Sequence, residues 1–170
     1  MTGMLVAGLG NVFLGDDGFG VEVVRRLAAE PQPEGVRVGD FGIRGLHLAY
    51  ELLDGYDTVV LVDAGSRGGA PGELHLLEVS PDDLPDLATP DELVGAGGVL
   101  DAHAMTPDAV LALLATLGGS PGRVLVLGCE PAVVDERMGL SPPVEAAVDV
   151  ALAELRALIA ARGEVDRCAS

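Results

Sequence analysis

Short apolar runs alternate with longer stripes of helical spacing along this chain. Met4 to Leu9 is a continuous apolar run, long enough for a buried strand and too short for a helix. It ends in Gly8-Leu9-Gly10-Asn11, where glycines let the backbone turn sharply or admit a close neighbour. Val21, Val24 and Ala28 then recur at helical spacing, predicting a helix from Gly18 to Ala29 that stops at Pro31 and Pro33. Val36 and Val38 alternate with Arg37 and Gly39, as in a strand reaching Phe41, and Gly42-Ile43-Arg44-Gly45 reads as a turn. A second helix places Leu46, Ala49, Leu52 and Leu53 on one face and ends at Gly55. Thr58 to Val62 is β-branched and apolar on both faces, the signature of a central parallel strand, and it terminates in Asp63-Ala64-Gly65. Glu73 to Val79 reads as an edge strand. Its connection to the preceding strand is too short for a crossover helix, so it is expected to run antiparallel to its predecessor.

Residues 80–104 carry prolines, glycines and acids with little periodicity beyond one helical turn near Pro90 to Val94. A loop of that length in a compact domain is usually functional or mobile. Thr106-Pro107-Asp108 is a helix start, with a capping threonine and a proline in the first turn. That helix carries Val110, Leu113, Leu114 and Leu117 and ends at Gly118-Gly119. Arg123 to Cys129 is a further strand. Ser141-Pro142-Pro143 opens a last helix with an apolar stripe of Val144, Ala147, Val148, Ala151, Leu155 and Ile159. The alternation predicts a single α/β domain over residues 1–163, a three-layer α/β/α sandwich, followed by a flexible tail over 164–170.

Composition narrows the function classes. With 170 residues and 49% hydrophobic content, the chain can bury a core. A formal net charge of -17 argues against nucleic acid, whose phosphates need a basic surface. Every basic residue apart from histidine is arginine, which removes Schiff-base and Walker-type lysines. Cys129 and Cys168 make no disulfide framework, which points to a reducing, cytoplasmic compartment. There is no signal-type segment and no apolar run of about twenty residues, so no membrane span is expected. Without a sustained heptad, the expected state is a monomer.

Three polar residues stand out by position. Asp17 follows the first strand, Asp63 ends the third, and His103 closes the long loop. Ligands of open α/β sheets collect at the carboxyl ends of the strands, where Asp17 and Asp63 are expected to meet. Two carboxylates and an imidazole could hold a divalent metal with an open position, or run acid–base chemistry on water. The blander roles are a helix cap for Asp17, a turn cap for Asp63 and an ordinary loop position for His103. His47 and His75 read as surface or packing residues. A nucleotide-binding reading rests on Gly8-x-Gly10, the following helix and Asp40. It is weak, because position 13 is Phe and the third glycine of GxGxxG is missing.

Gly8-Leu9-Gly10-Asn11, Gly15-Asp16-Asp17-Gly18-x-Gly20, Val62-Asp63-Ala64, Asp101-Ala102-His103 and Gly139-Leu140-Ser141-Pro142-Pro143-Val144-Glu145 occur in that order across nearly the whole chain. In this set the sequence resembles the hydrogenase maturation endopeptidases. The resemblance implies a five-stranded, mostly parallel twisted sheet with one antiparallel strand. It implies a single cleavage that removes a C-terminal peptide from the nickel-loaded large-subunit precursor of a nickel-iron hydrogenase. It also implies that Asp17, Asp63 and His103 contact metal, with nickel supplied by the precursor. Relatives often carry glutamate at the first of these positions; aspartate here is one methylene shorter. Gly42, Ile43, Arg44 and Gly45 match a turn tied to substrate recognition, and Gly8, Gly10 and Asn11 form the structural turn of the opening motif. Beside this reading stand two others, a nucleotide-binding module and a metal-sensing escort that does not cut.

Overall fold

The computed structural model describes residues 3–79, 106–120 and 122–168. The elements are β1 (Met4–Leu9), a 3-10 turn (Gly15–Gly18), α1 (Phe19–Ala28), β2 (Val36–Gly42) and α2 (Gly45–Leu52). Then come β3 (Thr58–Ala64), β4 (Leu74–Val79), α3 (Pro107–Thr116), β5 (Arg123–Cys129) and α4 (Pro142–Cys168). The five strands form one sheet in the order β2-β1-β3-β5-β4. All neighbours are parallel except β4 and β5, which are antiparallel.

The two-residue alternation of the strands divides the core into two halves. Met4 and Val6 of β1, Val60 and Val62 of β3, and Leu125 and Leu127 of β5 pack against α1 and α4. Leu5, Ala7, Leu9, Val59, Leu61 and Val124 point the other way, against α2 and α3. That is the expected three-layer sandwich. The predicted α4 stripe from Val144 to Ile159 is buried throughout. Thr106 caps α3 as expected, its hydroxyl accepting from the Ala109 N–H at 3.3 Å.

One local expectation is corrected and two details are added. The buried face of α2 is Leu48, Ala49 and Leu52, whereas Leu46 and Leu53 are exposed, because the helix begins at Gly45 and turns those two outward. β4 does run opposite to β3, but the two do not pair. β5 enters between them, with Asp63 opposite Gly128 and His75 opposite Gly128 from the other side. Finally, α4 passes through Gly163 to Cys168. The predicted helical turn near Pro90 to Val94 lies outside the described residues.

Two glycines bring α1 onto the sheet. A Cβ on Gly8 would strike Val24 and the Gly20 carbonyl, and one on Gly20 would strike the Val62 and Leu9 carbonyls. Helix and strands therefore meet backbone to backbone at the carboxyl ends of β1 and β3. Those strands flank the point where the chain order reverses, since β1 leads outward to β2 while β3 leads toward β5 and β4. Open α/β sheets form a crevice at such a switch point.

Candidate active site

Two aspartates meet in that crevice. Asp63 is the penultimate residue of β3 and is buried, and its Oδ1 accepts from the Ala64 N–H at 2.9 Å. Asp17 stands in the 3-10 turn after β1, half-buried, and its Oδ2 accepts from the Asn11 N–H at 2.8 Å. Burial and, after it, the negative charge of Asp17 hold the Asp63 carboxyl well above its usual range; the Ala64 N–H opposes them only in part. Gly10 makes this approach possible. Its φ of +130° is open to glycine, and a Cβ there would fall on the Asp17 carbonyl oxygen.

The neighbouring Asp16 does a different job. Its side chain is fully buried and accepts the N–H groups of Ala132, Val133 and Ser141 at 2.8, 2.8 and 2.7 Å, and the Ser141 hydroxyl at 2.8 Å. Burial alone would raise its pKa, but the donors from Ser141, Val133 and Ala132 outweigh it and lower the group. Asp16 thus clamps the loop after β5 to the loop after β1. Further bonds join the same loops: Gly15 N–H to Arg137 C=O at 2.8 Å and Arg137 N–H to Phe13 C=O at 3.0 Å. Sequence reasoning noted Asp16 only as half of a pair and Ser141 only as a helix start. The signal lay in their joint presence in two separated motifs, because a buried carboxylate needs donors and Ser141 supplies two.

Glu130 was also missed. It follows β5, is buried, and accepts from the Arg67 N–H at 2.7 Å and the Ser66 hydroxyl at 3.1 Å. The Arg67 N–H is the main cause of its lowered pKa. It fixes the loop that leaves β3 directly beyond Asp63.

The turn at 42–45 adjoins the aspartates. Gly42, with φ +51°, offers its carbonyl to the Gly10 N–H at 3.0 Å, and the Arg44 N–H closes the turn on Phe41 C=O at 2.7 Å. Ile43 and Arg44 are exposed, and the Arg44 guanidinium bonds the Asp40 carbonyl at 2.6 Å. Gly45 is buried at the start of α2. A cleft of about 400 Å³ runs between Gly10, Asn11, Phe13, Ile43 and Arg44. A second, of about 360 Å³, opens on the other side and includes Asp63, Ser66, Leu77 and Thr106.

His103, with Asp101 and Ala102 before it, lies outside the described residues. Among the described residues no group of three or more histidines, cysteines and acids could hold a metal ion; the aspartates make a pair. Asp40, the acid of the nucleotide-binding reading, pairs with Arg25 at 3.3 Å. The Asp16–Asp17 carboxylates also precede the α1 N-terminus, where a phosphate would have to sit. His47 is exposed on α2.

A family model described as hydrogenase maturation protease (HycI) matches residues 21–157. The hydrogenase expression/formation protein HupM of Azotobacter chroococcum is 35% identical over 169 residues, covering 96% of this chain and 76% of that protein. The hydrogenase maturating endopeptidase HybD of Escherichia coli superposes with a TM-score of 0.74 at 27% identity, covering 95% of this chain and 94% of that one. A hydrogenase 2 maturation peptidase from a Thaumarchaeota archaeon gives 0.67 at 33% identity, covering 92% and 98%.

Proposed function

The chain belongs to the hydrogenase maturation protease family, and from that premise we propose that it removes a C-terminal peptide from the nickel-loaded large-subunit precursor of a nickel-iron hydrogenase. The observation that carries this reading is the pair of aspartates after two different strands, one buried with its carboxyl pKa raised, the other more open. Peptide hydrolysis needs a group to take a proton from water and a group to give one to the leaving nitrogen. Two carboxylates whose environments differ can divide those roles. Here Asp17 accepts the proton of the attacking water and Asp63 supplies the proton to the amide nitrogen.

Nickel enters with the precursor, as part of the substrate. Carboxylate and imidazole are suitable donors to it, so Asp17 and His103 would read whether the metal is in place, and nickel would add Lewis acidity. Support for His103 as the third member of the site is its nearness in sequence to Thr106, which lines the Asp63 cleft. Three residues span roughly 10 Å at most. Gly42 to Gly45 bears on precursor choice, because the turn is bonded to Gly10 beside the aspartates. The reading also makes the protein a cytoplasmic monomer. In keeping with it, Cys129 is a free buried thiol and no helix among the described residues is long and apolar enough to cross a membrane.

The test is a mass spectrum of a candidate precursor, nickel-loaded and nickel-free, incubated with wild type, Asp63→Asn and His103→Ala. Loss of a C-terminal peptide from the loaded form alone, abolished in both variants, is the expected result. Cleavage of both forms would remove nickel gating and leave the aspartates as direct catalysts. Wild-type cleavage by both variants would overturn the site.

A further inference from the structure

Four large apolar side chains stand exposed around the aspartate crevice. Phe13 and Met138 are each 65% exposed, Val134 55% and Ile43 44%. Exposed apolar residues are ordinary when scattered, but these four sit on the loops that leave β1, β2 and β5 at the site end of the sheet. A continuous hydrogen-bonded frame links three of them to Asp17 and its neighbour Asp16. Asn11 N–H bonds Asp17 at 2.8 Å, and Asn11 Oδ1 accepts the Phe13 N–H at 2.9 Å. Phe13 C=O accepts the Arg137 N–H at 3.0 Å, one residue before Met138. Val133, one residue before Val134, offers its carbonyl to the Asp16 N–H at 2.8 Å and its N–H to the Asp16 carboxylate at 2.8 Å. Ile43 joins from the far side, sharing a cleft with Phe13.

We propose that Phe13, Ile43, Val134 and Met138 form a rigid docking rim for the folded body of the precursor, which must present an apolar patch bordered by basic side chains. The inference rests on the endopeptidase reading of the aspartates and names how that partner is held. Rigid presentation is the first argument. The buried Asp16 clamp fixes both loops, so little ordering entropy is lost on binding, and preorganised apolar anchors are where interface energy concentrates. Charge is the second. Asp135 and Glu136 outnumber the single Arg137 in the exposed stretch between Val134 and Met138, on a chain of net charge -17, so a basic border on the partner would match the excess of acid. Position is the third. A body seated on a rim around Asp17 can deliver its C-terminal segment into the crevice, and orientation of that kind lowers the barrier to a single, site-specific cleavage.

Steady-state cleavage of nickel-loaded precursor by wild type, Phe13→Ser, Met138→Ser and the double variant separates docking from chemistry. The expected result is a rise in KM of about tenfold for each single variant, larger for the double, with kcat within about twofold of wild type. Because both side chains are mostly exposed, the variants should keep the wild-type melting temperature, which circular dichroism checks. Binding of the double variant is also measured in an Asp63→Asn background with immobilised precursor, where a weaker complex than Asp63→Asn alone is expected. Unchanged KM and unchanged binding in the rim variants, with wild type active, would overturn the rim while leaving the protease reading intact. An inactive wild type that binds precursor through the rim would keep the docking surface and sink the protease reading.

Discussion

Asp63 shows how burying a carboxyl beside another acid costs stability. Its pKa is raised in the folded state by burial and by the charge of Asp17. The unfolded chain therefore releases that proton more readily, and ionising Asp63 near neutral pH costs folding free energy. The penalty disappears as pH falls below the ordinary carboxylate range, where both states are protonated. Asp63→Asn removes the ionisation and keeps an oxygen for the Ala64 N–H. Its melting temperature should exceed that of wild type at pH 7 and converge with it near pH 4, while cleavage is lost; a lower melting temperature at pH 7 would refute the assignment. Asp16, one residue from Asp17, has the opposite balance, since its donors more than offset burial. The two members of one sequence pair thus divide into a buried clamp and a half-buried acid beside Asp63. The letters Asp-Asp predict a pair of acids at the crevice. Which one is satisfied by distant donors depends on Ser141 and residues 132–133, more than a hundred positions away.

At the scale of elements, the site depends on how closely α1 can lie on β1 and β3. Gly20 faces the Val62 and Leu9 carbonyls with no room for a side chain. Gly20→Ala, although favourable for helix propensity, should destabilise the protein by at least about 2 kcal/mol, because backbone must shift to admit the methyl. Urea denaturation would read this as a lower midpoint with an unchanged slope; a neutral or stabilising effect would refute the close approach. The recurrence of Gly8, Gly10, Gly18 and Gly20 was visible as a motif, yet only packing tells which atoms each glycine makes room for. Helix faces were less legible. The α4 stripe was clear because it is long and uniformly apolar. On α2, with apolar residues at 46, 48, 49, 52 and 53, more than one face fits the pattern, and contact with the sheet selects 48, 49 and 52.

At the scale of the whole molecule, the three layers enclose Cys129. Burial, then the charges of Asp16 and Glu130, push its thiol up to about 11, and it donates weakly to the Glu130 carbonyl. The folded protein at pH 8 should leave Cys129 unmodified by iodoacetamide, and urea should open it in step with global unfolding, as read by peptide mass mapping. Modification of the native protein at the rate of an exposed thiol would mean that the sheet edge opens locally. Net charge acts at this scale too. A net charge of -17 bears on association rather than on the choice of fold.

The sequence by itself determined the alternation of strands and helices, the central place of β3, the cap at Thr106 and the identity of both aspartates. Each of these is encoded locally, in periodicity, in a capping residue or in position at a strand end. Tertiary structure alone decided that β5 separates β3 from β4, because pairing depends on which edges remain free once the crossovers are made. It also decided that Asp16 binds Ser141, that Glu130 holds the loop beyond Asp63, and that Phe13 and Ile43 line one cleft. Those relations join residues distant in sequence, and a buried charge or an exposed apolar side chain takes its meaning from what the fold places beside it.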